Sequence, residues 1–428
     1  MTNLVKRREF CADVVTAALA VGCNPMLLAG DSIGEGQRLH AKMPEIDRTE
    51  IDQSLLDIDV KTRSNLFAWN GQFSPQFIET LLKHYATDGD YVADPFLGSG
   101  TVLYECARRG LSAYGIELNA SAYLIAKVYE FVNVSDKDRE KVISRIDSLI
   151  AVLSKMDSED SLNQIVKVAK TDKDTRMRIV MSALVVLLDV YNNKISHELI
   201  EKKWNGLKGI LLNLPQSENK IKVEMGDARH MSLKDGCVDL IVSSPPYINV
   251  FNYHQKYRRS VELLGYDVLK IARSEFGSNR KNRGNRFLTV IQYCIDMAIA
   301  LCEAGRVCKQ GARLIYVVGR ESRVLGVSFC NSELMFLIAT EILGYKCLLR
   351  QERAFKNRYG QNIVEDILHF SRGARIRNDI DAVEKEARQL AVDFLLLKIK
   401  STTKADTVTF LEEAVEKASS VMKSEEMK

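Results

Sequence analysis

The 428-residue sequence lacks several patterns by which whole classes of protein are identified. Its nine cysteines include no Cys-x-x-Cys pair, which argues against structural zinc and favours buried thiols in a reducing compartment. No run of residues approaches transmembrane length, and we expect no membrane partner. The net charge is only +4, so a nucleic-acid surface would need local clusters of basic residues. The 46% hydrophobic content supports a large core, and we expect a cytoplasmic protein.

Two nucleotide-binding patterns are missing around the turn Gly98-Ser99-Gly100. A third glycine at Gly-x-Gly-x-x-Gly spacing is absent, which excludes a dinucleotide fingerprint, and no Gly-Lys-Ser/Thr follows, which excludes a P-loop. The turn nevertheless follows an apolar strand, Tyr91–Ala93, that ends at Asp94, and it precedes a helix from about Thr101 to Arg109. Such a turn brings backbone N–H groups and a helix N-terminus close to a ligand, although a plain tight turn is the alternative.

Two further predicted strands end in acidic residues. Ser112–Ile116 precedes Glu117, which lies about twenty residues after Asp94, where a carboxylate can accept hydrogen bonds from ribose hydroxyls. Lys222–Met225 leads to Gly226-Asp227, although an aspartate in a Gly-Asp-Ala sequence is also typical of an ordinary turn. Both residues could be surface carboxylates at strand ends, so their joint position carries more weight than either residue alone.

A buried strand, Val238–Val242, ends in Ser243-Ser244-Pro245-Pro246-Tyr247. Two consecutive prolines donate no backbone hydrogen bonds and hold a rigid, extended turn. Their carbonyls and the Ser244 hydroxyl could therefore face the amino group of a ligand, while Tyr247 offers a flat ring. The alternative is a proline turn capped by a core tyrosine.

These two loops, at 94–101 and 243–247, resemble the S-adenosylmethionine loop and the catalytic loop of the amino-group DNA methyltransferases. The Ser-Pro-Pro-Tyr sequence is more similar to the cytosine-N4 branch than to the adenine-N6 branch, which more often has Asp or Asn before the prolines. The resemblance covers residues 67–372 approximately and implies an α/β, Rossmann-like methyltransferase fold with a mostly parallel seven-stranded sheet. The sequence contains no Pro-Cys dipeptide, which argues against cytosine-C5 methylation, because that reaction needs a nucleophilic cysteine.

The resemblance also implies S-adenosylmethionine as the cofactor and assigns roles to particular residues. Phe73 matches an aromatic residue that holds the methionine end of the cofactor, although Trp69 and Phe73 could equally be core residues. Asp227 matches the acidic residue that binds the adenine amino group. The implied cofactor-binding residues are Phe73, Asp94, Phe96, Gly98, Ser99, Gly100, Thr101, Glu117 and Asp227. The implied catalytic residues are Ser244, Pro245, Pro246 and Tyr247, and no metal is predicted.

The implied reaction is in-line attack of an exocyclic amine on the methyl group, after the base has left the duplex. Hydrogen bonds to the Ser244 side chain and the Pro245 carbonyl would draw the nitrogen lone pair out of conjugation, while Tyr247 stacks on the base. Double-stranded DNA is then the substrate, and a cognate restriction endonuclease is a possible partner. Adenine-N6 methylation, methylation of RNA or protein, and an inactive DNA-binding subunit remain alternatives.

The segment from Lys256 to Arg286 carries nine basic residues against three acidic ones, with tyrosines between them. Basic groups can neutralise phosphates, so we predict a DNA-binding surface there, with a solvated loop as the alternative. The predicted DNA-binding residues are Lys256, Arg258, Arg259, Arg280, Lys281, Arg283 and Arg286.

The sequence predicts four regions. Residues 1–60 form an N-terminal extension with a helix near 8–22, which we favour over an export signal because Asp13 interrupts the apolar run. Residues 61–120 and 221–373 form the methyltransferase domain. Residues 121–220 form a helical insertion, either for target recognition or for packing, with helices at 122–131, 138–153, 176–191 and 197–211. Residues 374–428 form a tail of two helices, at 379–399 and 406–423.

Overall fold

The computed structural model describes residues 42–248, 253–278, 284–356, 360–374 and 377–427. The predicted helix near 8–22 lies outside these ranges. The nine described strands are β1 Tyr91–Asp94, β2 Ser112–Glu117, β3 Ile221–Met225, β4 Val238–Ser243, β5 Cys308–Gly319, β6 Glu321–Val324, β7 Val327–Cys330, β8 Lys346–Lys356 and β9 Asn362–Ser371.

Seven of these strands form one sheet in the order β3-β2-β1-β4-β5-β9-β8. The strands from β3 to β5 are parallel, whereas β9 runs antiparallel to both β5 and β8. The order reverses between β1 and β4, so the loops after these strands lie side by side at one edge of the sheet, where open α/β sheets bind ligands. This topology confirms the predicted Rossmann-like methyltransferase fold with its mostly parallel seven-stranded sheet.

Helices cover both faces of the sheet. They are α1 Gln53–Asp57, α2 Pro75–Tyr85, α3 Thr101–Arg109, α4 Ala120–Ala126, α5 Asp136–Leu153, α6 Ser158–Thr171, α7 Thr175–Leu188, α8 His197–Asn213, α9 Arg258–Leu263, α10 Val268–Ile271, α11 Leu288–Val307, α12 Asn331–Leu337, α13 Ile380–Ser401 and α14 Ala405–Glu416. Shorter 3₁₀ turns follow α4 at Lys127–Asn133 and α14 at Ala418–Ser420, and a π-helical turn extends α12 over Ile338–Ile342.

Helix α11 is long and apolar enough to cross a membrane, the one such helix in the described ranges, yet 89% of its apolar window is buried inside the protein. This corrects the expectation that no segment reaches that length. The helix is apolar on all sides because it packs beneath the sheet and against α13.

Five α-helices lie between β2 and β3, one more than the sequence predicts for the insertion. Helix α6 lies between the second and third predicted helices, and it begins after Asp157, whose side chain accepts a hydrogen bond from the Glu159 N–H. Helix α7 is mostly buried and ends at Leu188, and the next residue, Asp189, adopts φ of 46°. The buried α7 therefore forms the centre of the insertion.

Two local features differ from the sequence analysis. The hairpin of β6 and β7 was not predicted; its turn uses Leu325 and Gly326, both with positive φ. The last helix, α14, ends at Glu416 rather than near Lys423, and residues 421–427 instead run without regular structure along the body of the protein.

Candidate active site

A cavity of about 230 Å³ opens at the carboxyl ends of β1, β2, β3 and β4. It is lined by the loops after these strands and by the segment before α2, together with residues of 275–276 and β9. Most of the predicted site residues meet here. Those that line the cavity are Phe73, Asp94, Phe96, Gly98, Ser99, Thr101, Glu117, Asp227, Ser244, Pro245, Pro246 and Tyr247. The predicted cofactor and catalytic residues therefore share one cavity.

The glycine turn between β1 and α3 is built by two glycines with different roles. Gly98 has φ of 55° and lines the cavity, and a Cβ there would lie 3.7 Å from the Trp69 ring. Gly100 has φ of 90°, and a Cβ there would lie 2.7 Å from the Tyr129 ring. Gly100 does not line the cavity, so its glycine is required by packing beneath the turn. Gly98 is therefore the glycine of this turn whose backbone faces the cavity.

Glu117 joins the end of β2 to the glycine turn. Its Oε2 accepts a hydrogen bond of 2.6 Å from the Gly98 N–H, and its Oε1 accepts one of 2.7 Å from the Asn119 N–H. Burial raises the pKa of Glu117 to about 7, in spite of these hydrogen bonds. Each oxygen keeps a second acceptor position, which is what a ribose diol requires.

Asp94 joins the two predicted loops. Its Oδ1 accepts a hydrogen bond of 2.5 Å from the Ser243 hydroxyl and one of 3.2 Å from the Phe96 N–H. Burial raises the pKa of Asp94 to about 7, and the charge of Glu117 adds to the rise. Sequence reasoning missed Ser243, although it directly precedes the predicted catalytic residue Ser244. Two buried carboxylates beside a glycine cradle fit a cationic nucleoside such as S-adenosylmethionine.

The carboxylate of Asp227 lies in the cavity wall but is already heavily bonded. Oδ1 accepts hydrogen bonds from the Arg229 N–H at 3.0 Å and from its Nε at 2.9 Å. Oδ2 accepts from Arg229 Nη2 at 2.6 Å and from the Met427 N–H at 3.3 Å. A carboxylate offers about four acceptor positions, so an adenine amino group would have to share or replace the longest of these bonds.

Arg229 is the centre of a buried cluster that the sequence did not predict. Its side chain is fully buried and also donates to Asp296 Oδ1 at 2.8 Å. It donates further to the carbonyls of Ser424, at 3.1 Å, and Glu425, at 2.9 Å. Arg229 thus holds the 421–427 segment directly behind Asp227 through these hydrogen bonds.

Aromatic and amide side chains complete the wall of the cavity. Gln72 Oε1 accepts hydrogen bonds from the Ser99 hydroxyl at 2.9 Å and from the Trp69 N–H at 3.0 Å. Phe96 meets Phe276 edge to face, with ring centroids 5.6 Å apart. Gln72, Glu275 and Phe276 are further cavity residues that were not predicted as such. For Glu275 and Phe276 the reason is that spacing alone does not show which part of 256–286 folds inwards.

Three hydrogen bonds hold the predicted catalytic loop. The Tyr293 hydroxyl donates to the Pro246 carbonyl at 2.9 Å, and the Ile248 N–H donates to Asn331 Oδ1 at 3.2 Å. The Tyr247 hydroxyl donates to Glu365 Oε1 at 2.9 Å. Burial, followed by the charge of Glu365, raises the pKa of Tyr247 well above its ordinary range. Because Pro246 already accepts a bond, the Pro245 carbonyl is the better candidate acceptor for a substrate.

The predicted DNA-binding residues are only partly brought together. Lys256 Nζ lies 4.6 Å from the ring centroid of the cavity residue Trp69. Arg258 forms an ion pair of 2.7 Å with Glu262, whereas Arg259 is exposed and lies 5.8 Å from the ring centroid of Tyr191. Arg286 is half-buried just before α11 begins, and Arg280, Lys281 and Arg283 lie outside the described residues.

The strand order, the glycine turn and the acidic ends of β1 and β2 define the fold of the S-adenosylmethionine-dependent methyltransferases. S-adenosylmethionine is the cofactor that this fold and the matching family imply. Within the described ranges, no group of three or more His, Cys, Asp or Glu side chains could hold a metal ion.

Residues 40–128 match a family model for N6 and N4 methyltransferases, described as DNA methylase. The type II methyltransferase M.MjaII of Methanocaldococcus jannaschii is 42% identical over 60 residues, which are 14% of this chain and 11% of that protein. The type II methyltransferase M.BsoBI of Geobacillus stearothermophilus is 21% identical over 310 residues, covering 53% of this chain and 61% of that protein. The matches thus span less than two thirds of either relative.

Among solved structures, an S-adenosylmethionine-dependent methyltransferase from Methanosarcina mazei is similar with a TM-score of 0.34 and 12% identity. The likeness covers 69% of this chain and 98% of that chain. Because the score is low, the fold assignment rests on the strand order described above.

Proposed function

We propose that this chain methylates an exocyclic amino group of a base in duplex DNA, with N4 of cytosine as the favoured acceptor. The observation that carries the proposal is the position of Ser244, Pro245 and Tyr247 in the same cavity as the glycine turn and Glu117. The family description and the names of both relatives support DNA as the substrate. The serine at 244, where the adenine-N6 branch more often has Asp or Asn, favours cytosine.

The residues of this chain would hold the two reactants in line. When bound, S-adenosylmethionine supplies a methyl group whose bond to sulfur breaks as the bond to nitrogen forms, and the methylated amine then releases one proton. Glu117 would hold the ribose of the cofactor, and Asp94 would lie beside the cofactor's positive charge. The Ser244 hydroxyl and the Pro245 carbonyl would accept hydrogen bonds from the amine and draw its lone pair out of the ring. Positioning and electrostatics then provide most of the acceleration.

The DNA would lie across the surface next to the cavity mouth. Trp69 lines the cavity and contacts Lys256, and Lys256 is followed by α9 with the exposed Arg259. Arg259 in turn lies near Tyr191, which is 72% exposed on the loop after α7 of the insertion. This strip of basic and aromatic groups suits a sugar-phosphate backbone and an unstacked base. We therefore also propose that the insertion takes part in target recognition, and that the target base is flipped.

The test is to incubate the purified protein with S-adenosylmethionine and unmethylated DNA, digest the DNA to nucleosides and identify the modified base by mass. N4-methylcytosine is the expected product. N6-methyladenine would retain the mechanism and overturn the choice of base. DNA without a modified base, from protein that still binds the cofactor, would overturn the proposal and point to RNA, protein or an inactive subunit.

The Tyr247→Ala variant provides the matching control on the site. Its product should fall below detection, because the flipped base loses its stacking partner, while cofactor affinity should stay close to that of the unaltered protein. Loss of cofactor binding together with activity would count against the assigned role of Tyr247. Isothermal titration with S-adenosylmethionine measures the affinity independently of turnover.

A modification role alongside a restriction endonuclease is proposed from the relatives' type II names alone.

A further inference from the structure

Tyr247 is held by a buried ion pair that lies outside its own loop. The Tyr247 hydroxyl donates to Glu365 Oε1 at 2.9 Å, and Glu365 Oε2 accepts from Arg353 at 2.6 Å. Glu365 and Arg353 are direct neighbours on the antiparallel strands β9 and β8. Both are largely buried, and Glu365 also lines the cavity. The carboxylate therefore uses one oxygen for the tyrosine and the other for the arginine.

The ring of Tyr247 is also fixed from the side of β5. Gly319 pairs with Glu365 across β5 and β9. A Cβ at Gly319 would lie 2.5 Å from Cε2 of the Tyr247 ring, so only glycine leaves room for the ring there. Contact with Gly319 covers part of the ring, and the bond to Glu365 fixes its far end. Together they restrict rotation of the tyrosine side chain.

Arg353 connects this arrangement to the cofactor side of the cavity. Its guanidinium lies 4.1 Å from the ring centroid of Phe77 and 5.8 Å from that of Phe73. Phe73 lines the cavity, on the segment implied to hold the methionine end of the cofactor. Arginine is suited to this place, because it can stack on aromatic rings while it binds a carboxylate.

We infer that Glu365, supported by Arg353, is a positioning residue that sets the orientation of the Tyr247 ring for stacking on the target base. The inference rests on the proposed function for its catalytic consequence, but the orientation of the ring does not depend on any substrate. A plain cross-strand ion pair would stabilise the hairpin of β8 and β9 without acting through Tyr247. The two roles differ in how substitutions at positions 247 and 365 combine.

The first measurement is a double-substitution cycle on turnover. Tyr247→Phe and Glu365→Ala should each lower kcat, with DNA and cofactor saturating, by about ten- to one hundredfold, as expected for a misplaced catalytic group. The double variant should lose little more than either single variant, because both remove the same hydrogen bond. Additive losses would overturn the inference. Glu321→Gln, on the exposed hairpin of β6 and β7, is the control and should leave kcat unchanged.

The second measurement needs no activity. In protein labelled with ¹³C at the tyrosine ring ε positions, the Tyr247 resonance is identified by its loss in Tyr247→Phe. Glu365→Ala should shift and sharpen that resonance, whereas Glu365→Gln, which retains an acceptor oxygen, should change it less. An unchanged resonance in Glu365→Ala would overturn the inference even if the protein methylates no DNA. Thermal unfolding of each variant checks that it is folded.

Discussion

Asp94 and Glu117 are buried carboxylates whose local hydrogen bonds do not offset the cost of burial, so the pKa of each is raised to about 7. In the unfolded chain both would ionise near pH 4. The cofactor-free protein therefore binds more protons than the unfolded chain between about pH 4 and pH 7. The stability that these groups contribute is present at low pH and is lost as the pH rises through 7. A ligand with a positive charge would instead favour the ionised form of these carboxyl groups.

We expect the affinity for S-adenosylmethionine to rise with pH up to about 7 and then to level off. If one carboxyl must ionise on binding, the affinity changes by about tenfold per pH unit below its pKa. Isothermal titration at pH 6.5, in two buffers of different ionisation enthalpy, should show proton release. Asp94→Asn should reduce that release. An affinity independent of pH from 5.5 to 7.5 would contradict a cationic ligand beside these two groups.

Gly89 and Gly100, two of the glycines with positive φ, allow the cost of backbone strain to be separated from the cost of a steric clash. Their φ values are 91° and 90°, but a Cβ at Gly89 meets nothing within 4 Å, whereas one at Gly100 would contact Tyr129. Gly89→Ala should cost about 1–2 kcal/mol for the left-handed backbone. Gly100→Ala should cost about 1–3 kcal/mol more for the clash. Urea unfolding measures the loss of stability in each variant. Equal losses would show that the turn at Gly100 can shift away from Tyr129 without further cost.

Residues at strand ends were predictable because spacing and chemistry are local. Asp94, Glu117 and Asp227 were placed in one cavity from the ends of three predicted strands. Their partners were not predictable: Ser243 and Arg229 reach them only because of how the sheet and the 421–427 segment are assembled. The resemblance implied Gly100 as a cofactor-binding residue but did not show that a Cβ at this position would contact the Tyr129 ring.

At the scale of elements, α9 carries two adjacent arginines in different environments. Arg258 is paired with Glu262 on the next turn, while Arg259 is exposed beside Tyr191. Arg259→Ala should weaken DNA binding at low salt and reduce the slope of log affinity against log salt by about one. Arg258→Ala should have a smaller effect on the slope, because its charge is already partly neutralised. Fluorescence anisotropy over a salt series measures the DNA affinity of both variants. Equal slopes would show that the pairing of Arg258 with Glu262 makes no difference to DNA binding.

Comparison of the predicted with the observed elements shows which of them can be derived from sequence periodicity. Strands β1 to β4 and four insertion helices were predicted from their apolar patterns. In the structure Ser196 caps α8, where its hydroxyl accepts a hydrogen bond from the Leu199 N–H. Helix α6 was missed within the largely helical insertion. The hairpin of β6 and β7 was missed because its strands are only four residues each, too short to show a clear alternating pattern. Such short elements are stabilised by tertiary contacts, such as the Asn331 bond to Ser322, and not by their own pattern.

At the scale of the whole molecule, the 421–427 segment ties distant parts of the chain to the cofactor cavity. The Ser424 N–H donates to Asp296 Oδ1 at 2.9 Å, and its hydroxyl lies 2.6 Å from Asp296 Oδ2. The same hydroxyl is 3.0 Å from the Glu275 carbonyl, and Glu275 lines the cavity. Asp296 is fully buried on α11, and burial raises its pKa. Partners separated by this much sequence could not be paired from the sequence alone.

Ser424→Ala should therefore affect both stability and the cofactor site. Removing the hydroxyl leaves Asp296 Oδ2 with the Gly277 N–H alone, at 3.0 Å, and should cost about 1–3 kcal/mol in urea unfolding. The wall at 274–277 should then lose protection from hydrogen exchange, and cofactor affinity should fall several-fold because Asp227 and Phe276 are less firmly held. Ser420→Ala is the matched control, since that hydroxyl bonds only its own turn, at the Lys417 carbonyl. If Ser424→Ala lowers stability while cofactor affinity stays constant, the segment supports the fold alone and not the cavity.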